Sequence, residues 1–309
     1  MAKAPDRQAE LEALEFRVRT LLPEKYEDSY EDVQPVSMGS ASLKYGQDGN
    51  VAWDEMWGSF CDLAMAGGPP HKGTLLEPAS QPEIDAQPDL YETVVQEICR
   101  GVDLAANLTA EPSSNPGWVR VNCVNRSTVD WLLRAITMEN ISVRADGLDL
   151  ELPAGPSYRL EKEIKNVITV IAKTAHYWFG HIFQDKRRSI RELLAVMDAE
   201  SPLLQPAFPT DESQLQSSHA LKQEMSQALQ LAGFRTSDHK YSGWLGIQYP
   251  GIPPAMEMMR ALVASNVLSR REDSILFIPV DPVRDPTGEK AVRSLVSLDR
   301  LFRPDSTAS

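Results

Sequence analysis

Residues 117–153 read GWVRVNCVNRSTVDWLLRAITMENISVRADGLDLELP, and residues 243–279 read GWLGIQYPGIPPAMEMMRALVASNVLSRREDSILFIP. The two stretches align without a gap at an offset of 126 residues, and eight of the 37 aligned positions are identical. The identical pairs are Gly117/Gly243, Trp118/Trp244, Arg134/Arg260, Ala135/Ala261, Asn140/Asn266, Arg144/Arg270, Leu150/Leu276 and Pro153/Pro279. A constant offset of this kind is typical of an internal repeat. The sequence therefore predicts one structural module present twice.

Each stretch carries the pattern of a strand, a helix and a hairpin. Residues 118–121 alternate and are rich in β-formers, which predicts a strand. Asn140 and Asn266 stand where the following helix ends, and asparagine tolerates the left-handed backbone of a helix C-cap. Asp146-Gly147, between two alternating segments, favours a tight hairpin. The repeated tryptophans are expected to be buried anchors of each core.

The predicted fold class is α+β, with tandem helix–strand–helix–β-hairpin modules. A strand–helix–strand crossover is right-handed and joins parallel strands, so mixed sheets with helices on one face are expected. Residues 36–78 show strand, helix and short strand, which suggests a related or decayed N-terminal copy, although no residue-level alignment supports it.

Composition changes along the chain suggest the domain limits. The predicted parts are an acidic N-terminal α/β segment (1–82), a first module with a long helix (83–200), a proline- and serine-rich linker (201–213), a second module (214–303) and a disordered tail (304–309). Proline and serine clusters are typical of linkers.

Charge restricts the expected partners. The net charge is −13, and residues 1–95 hold 7 Lys/Arg against 18 Asp/Glu, a net −11, whereas residues 96–309 hold 24 against 26, a net −2. An acidic front half repels phosphate backbones, so nucleic acid is not the expected partner. No apolar run reaches the roughly 20 residues that span a bilayer. We expect a cytoplasmic protein that binds a small molecule or another protein and not a membrane; the oligomeric state is open.

Cysteine usage agrees with a reducing compartment. Cys61, Cys99 and Cys123 are an odd number of widely spaced thiols, which does not suit a disulfide framework. Zinc ligands usually come in close pairs, and the sequence shows none, so no metal is expected.

The loop Gly67-Gly68-Pro69-Pro70-His71-Lys72-Gly73-Thr74 is the first candidate binding segment. His71, Lys72 and Thr74 would project together from a backbone held by glycine and proline, as in an anion- or cofactor-binding loop. The alternative is a rigid helix-to-strand connection, which is the commoner meaning of a Gly/Pro cluster.

The long helix over residues 157–183 is the second candidate. Lys162, Asn166, Thr169, Lys173 and His176 form one stripe at helical spacing. A solvated face is the usual explanation of such a stripe, and the lining of a cleft is the alternative. His176 and His181 are five residues apart, so on an α-helix they do not share a face as a zinc pair would.

The repeated arginines have two interpretations. Arg134 and Arg260, at equivalent helix positions, are candidate ligand-binding residues, as a pair of anion sites. Structural roles shared by both modules are favoured, for these two and for Arg144 and Arg270, because long arginine stems usually cover packing surface.

A helix, the segment Leu-Ser-Arg-Arg-Glu-Asp and an apolar strand follow one another over residues 253–279. This order resembles the recognition helix and wing of winged-helix domains, and residues 127–153 resemble it less. The resemblance implies an interaction or nucleic-acid-binding role. A strand stands where a helix-turn-helix has its first helix, which puts that implication in doubt.

The leading expectation is a protein that binds a small molecule or cofactor of unknown identity, with an accessory or assembly role. One alternative is an enzyme that uses His71 and His176 as acid, base or ligand groups. The other is the winged-helix-like protein. No nucleophile elbow, HExxH, GxGxxG or Walker motif occurs in the sequence.

Overall fold

The computed structural model describes residues 7–22, 42–56 and 74–303. Their α-helices are α1 (Arg7–Leu21), α2 (Gln81–Ala86), α3 (Pro88–Ala106), α4 (Arg126–Met138), α5 (Lys165–His176), α6 (Gln184–Glu200), α7 (Glu212–Leu231), α8 (Ile252–Val263) and α9 (Glu289–Phe302). Their strands are β1 (Ala110–Pro112), β2 (Trp118–Asn122), β3 (Arg144–Asp146), β4 (Asp149–Pro153), β5 (Arg235–Ser237), β6 (Trp244–Gln248), β7 (Arg270–Glu272) and β8 (Ile275–Pro279).

The chain divides into two compact units. The first is Pro23–Arg187, and the second combines Met1–Leu22 with Arg188–Ser309. Helix α1 belongs to the second unit, where it contacts α8 and α9, although the sequence grouped it with the acidic segment 1–82. Residues 201–213, predicted as a linker, include the buried Leu203 and Leu204.

The first unit contains a four-stranded sheet in the order β1-β2-β4-β3, with every neighbouring pair antiparallel. Helix α3 packs on β1 and β2, and α4 packs on β3 and β4. Helix α5 packs against both of these helices. Gly101 on α3 permits close approach to α5, because a Cβ added there would lie 2.1 Å from Cδ1 of Ile168.

The second unit has a four-stranded antiparallel sheet in the order β5-β6-β8-β7. Helix α7 packs on β5 and β6, and α8 packs on β7 and β8. Helix α9 contacts α7 and α8. Each unit therefore contains the element order α-β-β-α-β-β-α, preceded by α2 in the first unit and by α1 and α6 in the second, and the fold is α+β.

Strand pairing in the two sheets keeps the offset of 126 residues. Trp118 lies opposite Pro153, and Trp244 lies opposite Pro279. Both tryptophans are 3% exposed, which confirms their prediction as core residues. Asn140 has φ 60° and Asn266 has φ 59°, so the left-handed conformation predicted for them is also confirmed, although the C-cap residues themselves are Glu139 and Ala264.

The predicted mixed sheets are wrong for the named strands, all of which pair antiparallel. The strand that follows α4 is β3, and β3 lies at the edge of the sheet and does not pair with β2. The chain then turns back, so that β4 lies between β2 and β3 and is antiparallel to both. In the part of the chain that the structure describes, parallel pairing is confined to isolated bridges, Leu76 with Ile141 and Leu204 with Val267.

The N-terminal segment shows part of the predicted pattern. Tyr45 and Val51 form an antiparallel bridge around a turn in which Gly49 has φ 80°. Residues 53–56 are helical. Residues 57–73 lie outside the described residues, so a third copy of the module stays a prediction.

Candidate functional site

The long helix of the first unit departs from α-helical geometry at both ends. Residues Leu160–Ile164 and Tyr177–His181 form π-helical turns that flank α5. The backbone N–H of Ile182 donates to the carbonyl of Tyr177 at 3.0 Å, a bond that spans five residues. Single π-helical turns within α-helices are frequent at functional sites.

The second π-helical turn brings His176 and His181 together. Their Nε2 atoms are 3.1 Å apart and their ring centroids 5.0 Å apart. The expectation that these residues share no face is therefore wrong. Residues five apart lie about 140° apart around an α-helix, whereas a π-helical turn places them one above the other.

A row of stacked aromatic rings begins at this imidazole pair. Tyr177 stacks on His181 at 6.3 Å and on Trp131 of α4 at 5.8 Å. Trp131 also stacks on Trp178 at 5.2 Å, and the indole N–H of Trp178 donates to the hydroxyl of Thr128 at 3.0 Å. The π-helical turn is thus fixed against α4.

The two histidines differ in exposure. His176 is half-buried and His181 is exposed. Burial and the neighbouring His181 lower the pKa of His176 below its ordinary value. His176 is therefore mainly neutral at neutral pH, and a neutral imidazole has a lone pair to offer a proton or a metal ion.

The polar stripe does not form a single solvated face. Lys162 is exposed, but Asn166 and Lys173 are buried. The Nζ of Lys173 lies 3.2 Å from Oε1 of Glu139, a carboxylate at the end of α4 that is also buried. The solvated-face expectation is wrong for these two residues, because both are buried, and Lys173 is covered by the end of α4.

The Gly/Pro loop falls mostly outside the described residues. His71 and Lys72 lie there, so their role as ligand-binding residues and the alternative of an enzyme that uses His71 and His176 stay predictions. Thr74 is described and is exposed at the end of that loop.

The paired helical arginines are both buried. Arg134 is 1% exposed and donates through Nη1 to the carbonyl of Asp130 at 2.8 Å, and Arg260 is 8% exposed. A contact within its own helix supports the structural interpretation of Arg134. An anion at either arginine would have to enter the core of its unit.

The other repeated arginines lie over the repeated tryptophans. The guanidinium of Arg144 is 4.5 Å from the ring centroid of Trp118, and that of Arg270 is 5.2 Å from Trp244. Arg270 also lies over Tyr241 and Phe277. The sequence showed that these pairs repeat, but it did not show that the two residues touch.

Cysteine chemistry does not favour a thiol nucleophile in the described part of the chain. Burial raises the pKa of Cys99 to about 11 and that of Cys123 to about 12, so both stay protonated near neutral pH. Among residues 7–22, 42–56 and 74–303, no three His, Cys, Asp or Glu side chains form one cluster. None of the helices in these ranges is both long enough and apolar enough to cross a membrane.

The comparisons with known proteins give no further identification. No family model, curated protein or solved structure matches this chain. The interpretation of the site therefore depends on its geometry.

Proposed function

We propose that this protein binds a small molecule or cofactor at the π-helical turn Tyr177–His181 of its first unit. The observation that carries the proposal is the pair of imidazole Nε2 atoms 3.1 Å apart on a partly exposed turn. Polar groups at fixed positions beside aromatic surface are the usual composition of ligand sites.

Preorganisation of the turn supports a binding role. Stacking on Trp131 and the anchored indole of Trp178 hold the turn before any ligand arrives. A ligand then loses little affinity to the ordering of side chains. Stacked rings beside the imidazoles would suit a planar ligand.

We further propose that the two units derive from a duplicated module. Strand order, pairing register and left-handed asparagines that recur at a constant offset of 126 residues support this proposal. Glu139, Trp131 and His176 have no identical counterparts at that offset, where Ser265, Glu257 and Phe302 stand. On this proposal, the first copy acquired the binding site and the second kept the scaffold.

The burial of α4 and α8 does not favour the winged-helix alternative. A recognition helix must expose one face to enter the major groove. Ten of the residues of α4 are buried, and α8 buries a continuous segment at residues 258–263. We therefore place binding at the turn after α5 and not on either of these helices.

Native mass spectrometry of the purified chain tests the binding proposal. We expect wild-type protein to retain an additional mass that His181→Ala loses, while His219→Ala, which removes an exposed imidazole from α7, keeps it. Equal retention by the two variants, or no retention and no uptake from a metabolite extract by the wild type, would contradict the proposal.

A further inference from the structure

The contact between His176 and His181 has the dimensions of a chelate. An ion held tetrahedrally by imidazole nitrogens at about 2.0–2.1 Å places those nitrogens about 3.3 Å apart. The Nε2 atoms of His176 and His181 are separated by 3.1 Å. The observed separation is therefore close to that of two imidazole nitrogens bound to one ion.

We propose that His176 and His181 chelate one first-row transition-metal ion, with Zn²⁺ and Cu²⁺ as the ions best suited to two imidazole nitrogens. This inference rests on the binding function proposed above for the same turn. It goes beyond that function because it identifies a transition-metal ion as the ligand of the two imidazoles.

The π-helical turn is the device that creates the chelate. On a regular α-helix a pair of ligands needs a spacing of three or four residues to share a face, and these histidines are five apart. The bond from the Ile182 N–H to the Tyr177 carbonyl adds one residue to the turn, and the two Nε2 atoms lie 3.1 Å apart. The metal-binding spacing is therefore a property of the backbone that the sequence alone does not display.

Accessibility and ligand number indicate an open site. His181 is exposed and His176 is half-buried, so an ion can approach from solvent. No cluster of three or more ligand side chains occurs among the described residues. Two nitrogens would leave the remaining coordination positions to water or to donor atoms of an incoming molecule, as open metal sites do. The ion would then link the protein to its small-molecule ligand.

The experiment is a metal titration of untagged protein. Zn²⁺ binding is measured by calorimetry, and Cu²⁺ binding is measured by electron paramagnetic resonance. We expect one ion per chain and coupling of Cu²⁺ to two nitrogens. His176→Ala and His181→Ala should each weaken Zn²⁺ binding about tenfold or more, at least as much as the loss of a second-shell partner. His219→Ala should bind as the wild type does.

Two further measurements separate a loss of metal binding from a loss of folding. His181 is exposed, so His181→Ala should keep the wild-type unfolding midpoint, which shows that a loss of Zn²⁺ is not a loss of fold. His181→Gln should lose the ion as well, because an amide is a poor substitute for imidazole as a ligand of these ions.

Absence of Zn²⁺ and Cu²⁺ binding, or binding that His181→Ala leaves unchanged, would overturn the chelate, and the two nitrogens would then share an ordinary hydrogen bond. If the wild type also retained an organic ligand that His181→Ala loses, the binding function would stand without the metal. If Zn²⁺ bound as expected but no organic ligand were found, the chelate would stand and the small-molecule proposal would fail.

Discussion

At the scale of single residues, one repeated pair is held by different partners in the two units. Arg144 over Trp118 pairs with Glu151, its neighbour across β3 and β4, at 2.5 Å. The position equivalent to Glu151 is Phe277, and Arg270 pairs instead with Glu272 at 2.7 Å. The arginine–tryptophan contact is therefore the shared feature, whereas the carboxylate partner lies on the neighbouring strand β4 in the first unit and two residues further along the same strand, β7, in the second.

Glu151 should make the first unit sensitive to acid. Burial alone raises the pKa of this carboxyl group, but hydrogen bonds from Ser113, Asn115 and Arg144 outweigh burial and hold the pKa below the ordinary 4.5. A lowered pKa means that the carboxylate stabilises the fold above about pH 4.5, and this contribution is lost as the pH falls through the lowered pKa. We expect Glu151→Gln to cost about 2 kcal/mol at pH 7, as for hydrogen bonds to a charged group.

Urea unfolding of wild type and Glu151→Gln from pH 7 to pH 3 measures this contribution. The difference in unfolding free energy should shrink below about pH 4.5, because Glu151 of the unfolded wild type then takes up a proton that the folded carboxylate, with its lowered pKa, does not bind. Glu111→Gln, at an exposed position of β1, is the matched control and should change little. A constant difference across the whole pH range would contradict the assignment.

Residue-level prediction succeeded where the local pattern determines the role. Trp118, Trp244, Asn140 and Asn266 were predicted as core residues or caps, because their roles follow from hydrophobicity and backbone preference. The buried partner of Lys173 was not predicted, because Glu139 meets it only after α4 packs on α5.

At the scale of elements, helix α3 and helix α5 meet at a point without a side chain. Gly101 is buried on α3, and an added Cβ would lie 2.1 Å from Cδ1 and 2.7 Å from Cγ1 of Ile168. Glycine within a helix costs about 1 kcal/mol relative to alanine. Its presence here is explained by the close approach that it permits.

Gly101→Val should therefore destabilise the first unit by about 1–3 kcal/mol through overpacking. Thr93→Val introduces the same side chain at an exposed position of α3 and should change the unfolding free energy by about 0.5 kcal/mol or less. Gly101→Val combined with Ile168→Ala should cost less than the sum of the two single changes, since the smaller residue makes room for the valine. Chemical denaturation of the wild type, the three single variants and the double variant gives these values, and additive effects of Gly101→Val and Ile168→Ala would show that the two positions are not in contact.

The sequence did not predict two kinds of element, the short strands β1 and β5 and the π-helical turns. Strands β1 and β5 were missed because each has three residues without an alternating apolar pattern, and β1 ends in Pro112, which suits an edge strand. The π-helical turns were missed because no composition rule marks them. Without β1 and β5 the sequence could not predict four-stranded sheets, and without the π-helical turns it could not predict the candidate site.

At the scale of the whole molecule, the two ends of the described chain meet in one unit. Arg7 of α1 donates through Nε to the carbonyl of Leu301 at 3.2 Å, and its Nη2 donates to the carbonyl of Arg303. Arg17 pairs with Glu200 at 2.7 Å. The sequence could not predict this closure, because contacts almost 300 residues apart leave no local pattern.

The buried face of α1 should therefore support the second unit specifically. Leu21 is 1% exposed, whereas Phe16 on the same helix is 65% exposed. Leu21→Ala should cost about 2–5 kcal/mol, the range for emptying a buried leucine site. Hydrogen exchange measured by mass spectrometry should then show faster exchange in α8 and α9, the helices that α1 contacts. Phe16→Ala should leave that exchange unchanged, and α3 to α5 of the first unit should keep their protection in both variants. Faster exchange in α3 to α5 with no change in α8 and α9 would mean that α1 stabilises the first unit instead, and the division of the chain would need revision.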